Sequence, residues 1–224
     1  MMEVAANLAV IQEKIGQACK NSGRKPSEIN VIGVTKYATI ERTEEAVEAG
    51  VKNLGENRNE GFLEKYHHIA DKVTWHFIGT LQSRKVKDII DKIDMLHALD
   101  RASLAKEINK RASAPVDCFI QVNVSGEASK HGLSVEEVIP FIEEIEKYEK
   151  VHVVGLMTMA PHIEDKEEIR KVFRDLALLR DRIKAKKLHH APCEFLSMGM
   201  SNDYEVAIEE GATHIRIGSQ LVGE

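Results

Sequence analysis

Short apolar runs alternate with amphipathic stretches eight times along this chain of 224 residues, and that alternation restricts its fold more than any other feature. The runs lie near 30–35, 52–56, 74–78, 94–98, 116–124, 151–157, 193–197 and 213–217, each about the length of a strand. Between them, segments near 41–49, 58–70, 82–92, 101–112, 134–147, 165–185 and 202–210 read as helices. A strand reached through a helix lies parallel to its predecessor, and such crossovers are right-handed. Eight units of this kind close into a (β/α)8 barrel more naturally than they spread into an open sheet. The doubly wound open sheet is the alternative, but its GxGxxG fingerprint is missing: the first run ends in Val34-Thr35-Lys36.

Before the first run, Val4, Leu8, Ile11, Ile15 and Ala18 recur at helical spacing and the pattern stops at Ser22-Gly23. This predicts an additional N-terminal helix over 3–22. Because the eighth run ends close to Glu224, no helix is expected to follow it, and the opening helix is expected to fill that gap in the outer ring. Asp100 and Ser134 are positioned as N-caps, and Gly50 and Gly211 as helix stops. No linker, low-complexity tract or repeat divides the chain, so residues 1–224 are expected to form a single domain.

Composition narrows the function classes. A hydrophobic share of 43% with 30% charged residues supports a buried core, and a net charge of −5 without basic clusters argues against nucleic-acid binding. Cys19, Cys118 and Cys193 are odd in number and far apart, which fits a reducing cytoplasm better than a disulfide framework or a zinc site. No basic-then-apolar leader opens the chain, and no run of about 18 apolar residues predicts a membrane span.

Barrels of this class place their chemistry at the C-terminal ends of the strands. Lys36 ends the first run on the same face as Ile32 and Val34, where a desolvated amine suits a Schiff base, although a surface lysine is an equally plain reading. Arg216 alternates with Ile215 and Ile217 and so points into the barrel, either paired with a carboxylate from a neighbouring strand or donating to a ligand's ring nitrogen. Ser197, Met198, Gly199, Met200 and Ser201 join the seventh run to its helix, and Gly218-Ser219 follow the eighth. Loops at these two places hold phosphate in many barrels through backbone N–H groups, and the serine hydroxyls add donors. The pairs His67-His68 and His189-His190 are expected to be exposed rather than chelating, since adjacent side chains on a helix diverge, and His76 to be a satisfied core or rim histidine.

Several of these segments together resemble the pyridoxal phosphate homeostasis proteins, stand-alone versions of the alanine racemase N-terminal barrel. The resemblance is carried by Val34-Thr35-Lys36, Leu54-Gly55-Glu56-Asn57, Trp75-His76-Phe77-Ile78-Gly79 with Leu81-Gln82-Ser83, Gln121-Val122-Asn123-Val124-Ser125-Gly126-Glu127 with Ser129-Lys130-His131-Gly132-Leu133, Gly155-Leu156-Met157-Thr158-Met159, Leu196 to Ser201, and Ile215 to Gly218. It implies pyridoxal 5'-phosphate as cofactor, a Schiff base on Lys36, phosphate held by the Ser197–Ser201 and Gly218-Ser219 loops with Met200 among the cofactor-binding residues, Arg216 at the pyridine nitrogen, and Asn57 and Met157 near the ring. The chain departs from the pattern at Thr80, where the family usually carries His, and at Arg58, where an aromatic is common.

The implied role is homeostasis of the cofactor, as a monomeric carrier or regulator serving pyridoxal phosphate-dependent apoenzymes. A cationic arginine at the ring nitrogen weakens the ring as an electron sink, and racemisation needs a second acid/base that alanine racemases supply with the help of a further domain. Weak amino-acid racemase activity is the first alternative and a phosphosugar-type barrel enzyme the second.

Overall fold

The computed structural model describes residues 3–127, 131–161, 163 and 165–223, so part of one motif named above, Ser129-Lys130, lies outside the described residues. The strands are β1 (Asn30–Val34), β2 (Asn53–Glu56), β3 (Thr74–Phe77), β4 (Met95–Leu99), β5 (Val116–Gln121), β6 (Val151–Met157), β7 (Phe195–Met200) and β8 (His214–Ile217). All pair in parallel and in chain order, and β1 also pairs with β8, so the sheet closes into a barrel. Around it run α1 (Glu3–Ser22), α2 (Ile40–Glu48), α3 (Asn59–Ile69), α4 (Val86–Ile89), α5 (Ala102–Arg111), α6 (Val135–Ile145), α7 (Lys166–Lys184), α8 (Tyr204–Glu209) and α9 (Ser219–Val222).

The punctuation explains most boundaries. Gly50 and Gly211 end α2 and α8 with φ of +100° and +102°, a conformation that costs a side chain strain and glycine little. Ser134 caps α6 through a capping box, with its N–H donating to Glu137 Oε2 at 2.8 Å. Asp100 does not cap α5: Arg101 occupies the N-cap position, and the Asp100 carboxylate instead accepts from that guanidinium at 2.6 Å.

Other boundaries differ from the sequence reading for local reasons. β5 stops at Gln121 rather than 124, because Asn123 turns back through hydrogen bonds with Leu133 and Glu127. β7 runs on through Met200. A short helix, α9, does follow β8, contrary to the expectation that none would, and α1 packs against both α8 and α9 with Val4, Leu8, Ile11 and Ile15 buried.

The buried residues separate into two layers. Between barrel and helices lies a continuous apolar layer that includes Leu54, Phe77, Leu96, Ile120, Leu156, Leu196, Ile215 and Ile217, all shielded from solvent. Inside the barrel a small separate cluster of Phe119, Val154 and Met157, flanked by Met95 and Phe195, is accompanied by polar side chains that include His76, His97 and His214.

Candidate functional site

A cavity of about 800 Å³ opens at the C-terminal mouth of the barrel. Of the residues expected at a site, Lys36, Asn57, Met157, Met200, Ser201, Arg216, Gly218 and Ser219 all line it, whereas Ser197 does not. Tyr37, which sequence reasoning did not single out, also lines it, as do Gln121 at the end of β5 and His131.

Lys36 stands in the turn after β1, which ends at Val34, and its side chain is exposed with Nζ 4.9 Å from the centre of the Tyr37 ring. The expected desolvation of this amine is therefore not seen; the extra two residues carry it out of the barrel. Its root is nevertheless held firmly. Thr35 is buried, its hydroxyl donates to Glu56 Oε1 at 2.6 Å, and its carbonyl accepts from Lys65 Nζ at 2.5 Å. Lys65 also pairs with Glu56 at 2.6 Å, and both side chains are almost fully buried. Removing one member of such a pair typically costs about 3–5 kcal/mol, because the partner charge is left uncompensated. This buried pair fixes the backbone from which Lys36 projects, and it commits the neighbouring lysine elsewhere.

Arg216 forms part of the cavity wall while only 5% exposed. Its guanidinium donates to Ser197 Oγ at 2.6 Å and to the Thr158 carbonyl at 2.9 Å, so neutral oxygens stand where the ion-pair reading required a carboxylate from a neighbouring strand. Burial lowers its pKa to about 10, with the Asp203 carboxylate acting in the opposite direction, so it remains a cation near neutral pH. Ser197 is fully buried and its hydroxyl is committed to Arg216 and His97, which replaces the expected role as a donor to phosphate.

Beneath Arg216 the polar contacts continue into the barrel. His97 Nδ1 lies 2.8 Å from Ser197 Oγ, His97 Nε2 lies 2.9 Å from His76 Nδ1, and His76 Nε2 lies 3.0 Å from Asn53 Oδ1. Desolvation holds all the interior imidazoles neutral: it lowers His76 to about 3, His214 to about 4, and His97 well below the usual histidine range. His76 is the satisfied core histidine that was expected. His97 was missed, although a histidine in the middle of Met95-Leu96-His97-Ala98-Leu99 was a visible signal of an inward-facing polar position.

The loops after β7 and β8 form another part of the wall. Gly199 has φ of +92°, and a Cβ there would lie 2.6 Å from the Ala207 Cβ, so only glycine lets this loop fold against α8. Ser219 and Gln220, in the first turn of α9, have no intrahelical acceptor for their N–H groups. Met200 N–H is already taken by Asp203 Oδ1 at 2.5 Å. Because α8 and α9 span only six and four residues, neither supplies a long helix dipole, and what these loops offer are individual N–H and hydroxyl donors. Gly79 admits the Asn57 backbone, since a Cβ there would lie 2.2 Å from the Asn57 carbonyl oxygen.

The two adjacent histidine pairs behave as solvated or structural groups. His67, His68 and His189 are exposed, while His190, also expected to be exposed, is half-buried with Nε2 3.1 Å from the Ile142 carbonyl. Among the described residues no group of three or more His, Cys, Asp or Glu is arranged to hold a metal ion, and no helix is long and apolar enough to cross a membrane.

Comparison with known proteins places this geometry. The family model described as "Alanine racemase, N-terminal domain" matches residues 4–224, and the "Pyridoxal phosphate homeostasis protein" of Aquifex aeolicus is 41% identical over all of this chain and 99% of its own. The chain belongs to the pyridoxal phosphate homeostasis protein family. The family member of Escherichia coli K12 is 33% identical over 100% of this chain and 97% of its own. Among solved structures, PipY of Synechococcus elongatus, described as having PLP bound, superimposes with a TM-score of 0.86 at 26% identity, covering 99% of this chain and 100% of its own. An alanine racemase from Clostridium difficile shares the fold, with a TM-score of 0.74 at 18% identity over 97% of this chain and 56% of its own.

Proposed function

We propose that this chain binds pyridoxal 5'-phosphate covalently through Lys36 and acts as a carrier or regulator of that cofactor. The observation that carries the reading is the convergence on one cavity of a free lysine amine and a buried cationic arginine whose partners in the fold are neutral oxygens. The donor set fits the group. Lys36 would hold its carbonyl carbon, Arg216 its ring nitrogen, and Ser201, Gly218 and Ser219 its phosphate, with Asn57, Met157 and Met200 flanking the ring. When bound, the group supplies an electrophilic carbonyl conjugated to a ring that can take up electron density.

The chain's own residues argue for carriage over turnover. Arg216, with a pKa of about 10, stays protonated and offers only N–H donors, so a ring nitrogen facing it keeps its lone pair unprotonated. A ring held in that state is a poor electron sink, which disfavours most chemistry at an amino acid's α-carbon. The relatives' shared name supports the same reading. A monomer in the cytoplasm that passes the cofactor to pyridoxal phosphate-dependent apoenzymes completes the proposal, and the free, buried Cys19, Cys118 and Cys193 suit a reducing compartment.

Borohydride reduction of the protein loaded with pyridoxal 5'-phosphate, followed by peptide mapping, tests the anchor. The label is expected on Lys36; a main adduct on another lysine, persisting in Lys36→Ala, overturns the assignment. α-Deuterium exchange measured beside chirality change in several amino acids separates carrier from racemase. Fast inversion that disappears in Lys36→Ala would establish the racemase instead.

A further inference from the structure

We propose that His97 and His76 are positioning residues for Arg216: linked through Ser197, they form a hydrogen-bond chain of one fixed sense, from the guanidinium down to Asn53, that sets how Arg216 faces its ligand. Neither histidine lines the cavity, and both are fully buried, so any effect on a ligand must pass through this chain.

The sense follows from the chemistry of each link. The Asn53 carboxamide oxygen offers only lone pairs, so His76 Nε2, 3.0 Å away, carries the hydrogen. A neutral imidazole has one N–H, which leaves His76 Nδ1 as an acceptor. His97 Nε2, 2.9 Å from it, must then donate, which leaves His97 Nδ1 as an acceptor for the Ser197 hydroxyl at 2.8 Å. Ser197 Oγ consequently presents only lone pairs to the Arg216 N–H at 2.6 Å. Arg216 remains a donor, so the cation and the amide oxygen are the two ends that agree with this order.

Each link is used once, in a space sealed from water. In the reversed order both His97 and Arg216 would donate to Ser197, and the serine hydrogen would have no acceptor within the chain. Protonating His76 would set two hydrogens face to face, and protonating His97 would leave the serine hydrogen without an acceptor in the chain, which agrees with the depressed pKa values of both. The chain thus holds Ser197 as a pure acceptor, and with Thr158 O it fixes two edges of the guanidinium. Arg216 itself lines the cavity.

The experiment has two arms, of which only the second rests on the pyridoxal reading. In the first, cofactor-free protein labelled with 15N-histidine is examined by long-range 1H–15N correlation at neutral pH. His76 and His97 are both expected as Nε2–H tautomers, and an Nδ1–H tautomer at either one overturns the chain. In the second, wild type is expected to bind pyridoxal 5'-phosphate about 10–100-fold more tightly than its carbon analogue lacking the ring nitrogen, the worth of one charge-assisted hydrogen bond. His97→Leu should bring that ratio close to one while leaving the preference for pyridoxal 5'-phosphate over pyridoxal intact. His97→Asn, which keeps an acceptor near the Nδ1 position, should restore the ring-nitrogen preference. A ratio unchanged in His97→Leu, or both preferences falling together, overturns the positioning role. If His97→Leu does not fold, His97→Asn and the tautomers still decide it. Wild type that fails to bind the cofactor sinks the pyridoxal reading, and the first arm still tests the chain.

Discussion

The layer between barrel and helices and the interior of the barrel are both buried, yet they are built on opposite principles. In the outer layer Leu54, Phe77, Leu96, Ile120, Leu156 and Leu196 from successive strands carry no polar side-chain group to satisfy and are held by non-directional burial. The interior holds His76, His97, His214, Ser197 and Arg216, whose donors and acceptors must meet specific partners. A volume-conserving apolar swap in the first costs little, whereas the same swap in the second leaves an orphaned buried group. The outer layer therefore secures the fold, and the interior, lying directly below the cavity, determines the site.

That contrast is open to attack from both sides. The largest expected effect is in the outer layer: Phe173→Ala, on α7 and fully buried, should lower unfolding free energy by about 3–5 kcal/mol in denaturant titration. It should leave the pH dependence of stability unchanged, and a change there would blur the division.

The interior predicts that pH dependence. Its imidazoles are neutral in the fold, with pKa of about 3 for His76 and about 4 for His214, but titrate near 6.5 once unfolded. Between these values the unfolded chain binds more protons, so their contribution to stability is complete above pH 6.5 and is lost as pH falls toward 4. The slope is up to about 1.4 kcal/mol per pH unit for each histidine. His214→Leu should remove one such share, and an unaltered slope would show that the interior does not set the acid response.

The smallest effect lies in neither region. Ser134→Ala removes the capping box of α6 and should cost about 1 kcal/mol without touching ligand affinity or acid slope.

How far the chain could be read without coordinates follows from the same division. Alternation of apolar runs and amphipathic segments was enough for eight parallel strands, because each element's outward face obeys a local period that the sequence displays. Arg216 was legible as inward-facing for the same reason, standing between two isoleucines that belong to the outer layer. Lys36 was placed at the right strand end but in the wrong environment, since a two-residue difference in where β1 stops decides between a buried amine and an exposed one.

Residue type and period therefore determined the barrel, its outer layer and the ring of side chains at the mouth, all of which depend on neighbours close in sequence. Only the tertiary structure decided the partners. Ser197 faces His97 across 100 positions, Arg216 reaches back 58 positions to the Thr158 carbonyl, and Lys65 and Glu56 anchor the turn that carries Lys36. Hydrogen-bond direction depends on which group closure of the barrel brings opposite, and that juxtaposition leaves no periodic mark along the chain.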